Sequence, residues 1–205
     1  MNIDPVAAAI SFGVLLISLT IHEAAHAWTA DRLGDATARA LGRVSLNPLV
    51  HIDWLGTVVL PIIAALSGLP LIGWAKPVPV NPRNLRHPRR DFMMIAAAGP
   101  ISNLLQALAA ALVLRAIFTG EPGPAVSVLT DVIWINLLLA FFNLIPVPPL
   151  DGGNVVLGLL PPRLAVAYDG LRNYGFLILY ALLLTGVART LILPPTIFFA
   201  RMLIP

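Results

Sequence analysis

The apolar residues of this chain come in runs about as long as a bilayer is thick, and nothing else in the sequence constrains the fold as strongly. Val6–Ala30, Leu55–Gly73, Phe92–Phe118, Ala125–Ile145 and Asn173–Leu193 are each dominated by Ala, Val, Ile, Leu and Phe. A helix needs ~20 such residues to cross the hydrocarbon core. In lipid the backbone must satisfy its own N–H and C=O groups, so segments of this kind cross as helices. Composition agrees. The chain is 58% hydrophobic and 11% charged, against about 25% charged in soluble domains. The sequence predicts an all-α polytopic membrane protein with about four spanning helices. It reads as one membrane-embedded unit over residues 1–205, with a core at 6–155 and a last span at 173–193.

Two segments depart from that plan. Leu55–Gly73 is interrupted by Pro61, Gly68 and Pro70, which suits a re-entrant segment rather than a crossing. Ala36–Leu46 alternates enough, with Gly42 at a turn position, to suggest a short β-hairpin. The net charge of +3 does not indicate nucleic acid, because the basic residues sit in loops beside apolar runs, where they set membrane topology.

The first span carries polar residues that a bilayer would normally exclude: His22-Glu23-Ala24-Ala25-His26. Ionisable groups inside membrane helices are costly and functional by default. On a helix, residues i and i+4 share a face, so His22 and His26 can reach one metal ion. Zinc accepts neutral imidazole nitrogens at about 2.0–2.1 Å. Glu23, beside the first ligand, can then act as general base toward an activated water. There are no cysteines, so a third protein ligand must come from His, Asp or Glu. Asp151 follows an apolar run and precedes Gly152 and Gly153, which permit close backbone approach. Asp131 is the rival, but it lies only a few residues inside its segment and suits an interfacial position. His51 and His87 fall in polar loops and read as structural or solvent-facing.

His22-Glu23-Ala24-Ala25-His26, taken with Asn143-Leu144-Ile145-Pro146-Val147-Pro148-Pro149-Leu150-Asp151-Gly152-Gly153, resembles the site-2 protease family of intramembrane zinc metalloproteases, peptidase family M50. Ala98-Gly99-Pro100-Ile101-Ser102-Asn103 resembles the family's middle core helix. Ser45-Leu46-Asn47-Pro48 and Gly73-Trp74-Ala75-Lys76-Pro77-Val78-Pro79-Val80-Asn81 are similar to its compact prokaryotic branch, which lacks PDZ and CBS domains. The resemblance implies one Zn2+ per chain held by His22, His26 and Asp151, with Glu23 as catalytic base. It also implies a role for Asn143 in holding substrate or stabilising the oxyanion. Asn103 is expected to hydrogen-bond within the bundle, without a catalytic role.

Parity constrains the path. The histidine pair lies near the end of the first span and Asp151 just beyond the end of the Ala125–Ile145 span. To share one metal, both ends must lie on one side. One of the three intervening segments must then fail to cross, and Leu55–Gly73 is the candidate. That arrangement puts Arg32, Arg39, Arg43, Lys76, Arg83, Arg86, Arg89, Arg90, Arg163 and Arg172 on one side, ten of the thirteen basic residues. Positive-inside makes this side cytoplasmic.

The expected activity is zinc-dependent hydrolysis of peptide bonds in or near transmembrane segments, within a prokaryotic inner membrane. The expected partners are a membrane-protein substrate and the lipid bilayer. A membrane metal transporter is the alternative; it would need ligands strung along several spans. A catalytically inactive membrane scaffold is the other, and the full catalytic set argues against it.

Overall fold

The computed structural model describes residues 4–59, 63, 75–121 and 123–205. These residues form helices α1 (Pro5–Arg32), α2 (Thr37–Ala40), α3 (Pro88–Ile117), α4 (Pro124–Asn143), α5 (Asp151–Leu159), α6 (Pro162–Asp169), α7 (Gly175–Leu184) and α8 (Val187–Leu203). No strand occurs among the described residues. Helices α1, α3 and α4 each begin on a proline, whose missing N–H would be unpaired in a first turn anyway. Asp4 caps α1 by accepting the Val6 N–H at 2.9 Å. These three helices are long and apolar enough to cross a membrane, and the bent pair Pro162–Leu184 and Val187–Leu203 would make a fourth span.

The bundle turns many large apolar side chains outward and buries a set of polar ones. Val6, Ile10, Phe12 and Ile17 of α1 and Leu105, Leu108 and Leu112 of α3 are exposed, whereas Ser18, His22, His26, Asn103 and Asn136 are buried. Lipid tails cover apolar surface at no cost, so small and polar residues share the interior with a few large apolar ones. Accordingly Ala107, Ala110 and Ala111 of α3 let α4 and α8 approach closely, around Leu114, Ile133, Leu137 and Ala200.

Helix directions follow from cross-bundle contacts. Ser11, early in α1, donates to Asp131, early in α4, at 2.8 Å. His26, late in α1, meets the Ile95 carbonyl, early in α3. So α1 and α4 run parallel with α3 antiparallel between them, and the ends carrying the histidines and Asp151 share one side.

Most of Leu55–Gly73, including Pro61, Gly68 and Pro70, lies outside the described residues, as do Gly73 and Trp74 of the motif beside it. Its flanks are described, and they meet. The Lys76 N–H donates to the His51 carbonyl at 2.8 Å. The buried Arg43 guanidinium donates to the carbonyls of Val50, Lys76 and Pro77. The chain thus comes back at residue 76 to the point it left at residue 51, as parity requires. Asp35 ties the same side together. Its carboxylate accepts from Thr37, from the Asn81 N–H at 2.6 Å and from the Asn84 amide at 2.8 Å.

Two expectations are corrected. The hairpin over Ala36–Leu46 is instead one helical turn, α2. The Gly42 N–H bonds to the Arg39 carbonyl and the Arg43 N–H to that of Ala38, with Gly42 at φ 67°. That is how glycine closes a helix C-terminus, so Gly42 ends a helix rather than turning a ribbon. The single span over 173–193 is broken. Helix α7 stops at Leu184, Gly186 takes a left-handed φ of 76°, and the chain bends by 72° into α8. Helix α8 packs on the core helices α3 and α4. Phe199 stacks on Phe141 with ring centroids 5.6 Å apart, and Arg115 donates to the Met202 carbonyl at 2.6 Å.

Candidate metal centre

His22 and His26 stand one turn apart on α1. Asp151 is the first residue of α5, delivered to them by the turn that follows α4. The two Nε2 atoms are 3.0 Å apart, and Asp151 Oδ2 lies 3.2 Å from Nε2 of His22 and 3.3 Å from that of His26. Four ligands placed tetrahedrally at zinc's 2.0–2.1 Å are separated by about 3.3 Å. The triangle therefore has the size of one face of such a site.

The protonation pattern makes the same case. Nδ1 of His22 lies 2.6 Å from Asn103 Oδ1, and Nδ1 of His26 lies 2.7 Å from the Ile95 carbonyl oxygen. Both partners are acceptors, so each Nδ1 carries the hydrogen and each Nε2 presents a lone pair. Asp151 Oδ2 is buried and accepts no hydrogen bond. Three lone pairs thus converge on one point with no proton among them, which is repulsive unless a cation sits there. The donor set, two imidazoles and one carboxylate, suits zinc with one position open for water or substrate. Among the described residues this is the one group of three His, Asp or Glu side chains close enough to share an ion.

Glycines make the room. A Cβ built on Gly99 would sit 2.5 Å from Cε1 and Nε2 of His22 and closer still to Nε2 of His26. Any side chain at 99 would invade the centre. A Cβ on Gly153 would lie 2.6 Å from the Pro148 nitrogen, and one on Gly152 would strike the Leu144 and Ile145 carbonyls. The Gly-Gly pair lets α5 lie against the preceding turn, which aims Asp151 at the histidines.

The remaining candidates separate cleanly. Glu23 follows His22 and is half-buried. Burial pushes the Arg43 guanidinium below its ordinary pKa while the Glu23 carboxylate opposes that shift, which places the two charges within each other's field. Asn143 donates to the Leu139 carbonyl of its own helix at 3.0 Å, using one of its two amide hydrogens. Asp131 is spent on Ser11, far along α4 from the centre. His51 donates to the Ser45 carbonyl at 2.9 Å, and the exposed His87 precedes α3, its backbone N–H donating to Asp91 at 2.8 Å. Sequence reading missed Gly99, Ser18 and Asn136 as parts of the site. For Gly99 the available signal was a small residue four before Asn103 on one helix face.

Comparison with known proteins decides the family. Residues 118–185 match the model described as Peptidase family M50. The chain is 37% identical over 187 residues to YwhC of Bacillus subtilis, spanning 88% of this chain and 82% of that protein. It is 32% identical over 173 residues to Rip2 of Mycolicibacterium smegmatis, spanning 83% of this chain and 64% of Rip2. Both relatives are classed by name among zinc metalloproteases. The chain belongs to peptidase family M50. Within that family it is a metalloendopeptidase built as a multi-pass membrane protein, and the site-2 protease resemblance holds. No solved structure matches the chain.

Proposed function

We propose that this M50 peptidase binds one Zn2+ through His22, His26 and Asp151 and hydrolyses peptide bonds in or near transmembrane segments of membrane proteins. The supporting observation is the triangle of converging lone pairs, built on a helix apolar enough to span a bilayer. When bound, zinc supplies Lewis acidity that polarises the scissile carbonyl and brings a water's pKa to about 7. Glu23 takes the proton from that water as its oxygen attacks the carbonyl carbon. Glu23 then gives the proton to the peptide nitrogen as the C–N bond breaks, leaving a carboxylic acid and an amine, which exchange a proton to become carboxylate and ammonium. His22 and His26 keep their Nδ1–H groups on carbonyl oxygens, which leaves each Nε2 lone pair for the metal. Asn143 has an amide hydrogen left for the oxyanion or for substrate.

The substrate segment must unwind locally, since a helix hides its amides in hydrogen bonds. Arg39, Arg43, Lys76 and the Arg83–Arg90 cluster lie at the site's end of the bundle, so positive-inside opens the site toward the cytoplasm of a prokaryotic cell.

The test is reconstitution with a single-span reporter in vesicles. Cleavage within or beside the span, lost on chelation and restored by Zn2+, is expected. Cleavage of soluble peptides alone would overturn the intramembrane reading. Orientation is read separately, because the chain offers no background thiol. Single cysteines at Asp35 and Arg89 should react with an impermeant reagent from the cytoplasmic face, and one at Gly123 from the opposite face.

A further inference from the structure

Behind His22 lies a chain of buried polar groups that neither the family assignment nor the ligand set explains. Asn103 and Asn136 are fully buried and Ser18 is nearly so. They sit on α3, α4 and α1 respectively, one from each core helix. Three hydrogen bonds run in one direction. His22 Nδ1–H donates to Asn103 Oδ1 at 2.6 Å, and Asn103 Nδ2 donates to Asn136 Oδ1 at 2.8 Å. Asn136 Nδ2 then donates to Ser18 Oγ at 2.9 Å and to the Val132 carbonyl, also at 2.9 Å.

We infer that Asn103 and Asn136 are positioning residues for the metal centre, a relay that sets the tautomer and ring orientation of His22. The inference rests on the proposed zinc site. An asparagine has one accepting oxygen and one donating nitrogen. At 103 the nitrogen is turned away, toward Asn136, so only the oxygen is left to face His22. That holds the His22 proton on Nδ1 and keeps Nε2 free to ligate. Asn136 holds Asn103 in that orientation, because its own nitrogen is occupied by Ser18 and Val132 and its oxygen must therefore accept.

Outer partners of this kind commonly govern metal affinity by about 10–100-fold. His26 is handled differently, by a backbone carbonyl, so its ring orientation is fixed by the path of α3 alone. The two ligands should then differ in how far side-chain changes can disturb them. A carboxylate at 103 would still accept from His22, but it would set two oxygens against each other at Asn136.

The experiment measures metal binding rather than turnover. Co2+ is substituted into the purified full chain, and its visible absorption and affinity, with Zn2+ affinity by competition, are compared across variants. Asn103→Leu is expected to weaken Zn2+ binding about 10–100-fold and to change the Co2+ spectrum. Asn136→Leu should shift the spectrum in the same direction to a smaller extent. The double variant should lose no more affinity than Asn103→Leu alone, because Asn136 acts through Asn103. Asn103→Asp should recover part of the affinity that Asn103→Leu loses, which also guards against a misfolded leucine variant. Unchanged affinity and spectrum in Asn103→Leu, or additive losses in the double variant, would overturn the relay. A native chain that takes up neither ion would instead overturn the zinc site itself.

Discussion

The two halves of α1 are made from one continuous helix and obey opposite rules. From Pro5 to Ile17 the large apolar side chains of Val6, Ile10, Phe12 and Ile17 point outward, and Val14 alone is buried. From Ser18 onward the buried set is Ser18, Thr20, His22, His26, Ala27 and Ala30. The first half has only to be insoluble in water. The second half must hold polar atoms at fixed separations where no water competes, so each one needs a named partner. Sequence tolerance should therefore fall sharply at Ser18, and the contrast can be pressed at several points.

The largest effect is expected at Glu23. Glu23→Gln should cut peptide hydrolysis by about 10²–10⁴-fold or more while the metal content of the purified protein stays at the native level. Normal turnover in this variant would place the base elsewhere. Next comes the ligand from outside α1. Asp151→Ala should lose both metal and activity, whereas Asp131→Ala, which breaks only the bond to Ser11, should keep its metal when assayed by atomic absorption. Zinc lost solely in the Asp131 variant would reverse the assignment of the carboxylates.

Gly99→Val extends the contrast to α3. Its Cβ would fall within 2.5 Å of His22 atoms, so metal binding should fail even though no ligand is altered. On the lipid side the expectation is the reverse. Phe12→Ala should change stability by about 0.5 kcal/mol or less, as surface substitutions do, and leave metal content alone; thermal unfolding in detergent measures it.

The smallest effect concerns pH and the loops at the metal centre's end of the bundle. Burial would raise the pKa of Asp35, but hydrogen bonds from Thr37, Asn84 and Asn81 outweigh it and hold the folded value below the ordinary 3.8. A depressed folded value means the carboxylate stabilises the fold above the unfolded pKa, and that contribution is lost as pH falls through the folded one. Thermal unfolding midpoints of the native chain and Asp35→Asn, measured across pH, should stay apart above about pH 4 and converge as pH falls below it. A constant gap across that range would remove Asp35 as the titrating group.

What could be read from the sequence was whatever a local pattern encodes. His22 and His26 were legible because helix geometry turns a spacing of four into one face. Asp151 was legible as a carboxylate against two glycines, although its distance from the histidines was not. Parity called for a segment that returns, Leu55–Gly73, and its described flanks meet where Lys76 bonds to His51. The relay was illegible for a physical reason: Ser18, Asn103 and Asn136 meet only after three helices have packed, across separations of 33 and 118 residues. Gly42 and Gly186 failed differently. A glycine with positive φ can turn a ribbon, end a helix or break a span. Which of these occurs depends on neighbours such as the Ala38 carbonyl, which no window of sequence identifies as a partner.

The knot of Arg43 with Val50, Lys76 and Pro77 has a consequence for how such a chain can change over generations. One guanidinium draws together two points of the chain that are far apart in sequence, Val50 and Lys76–Pro77. Because both ends are anchored at one point, the cost of closing the loop is already met and grows only slowly with added length. Lengthening the chain between those two anchors therefore costs little closure entropy, whereas losing Arg43 would release both of them at once.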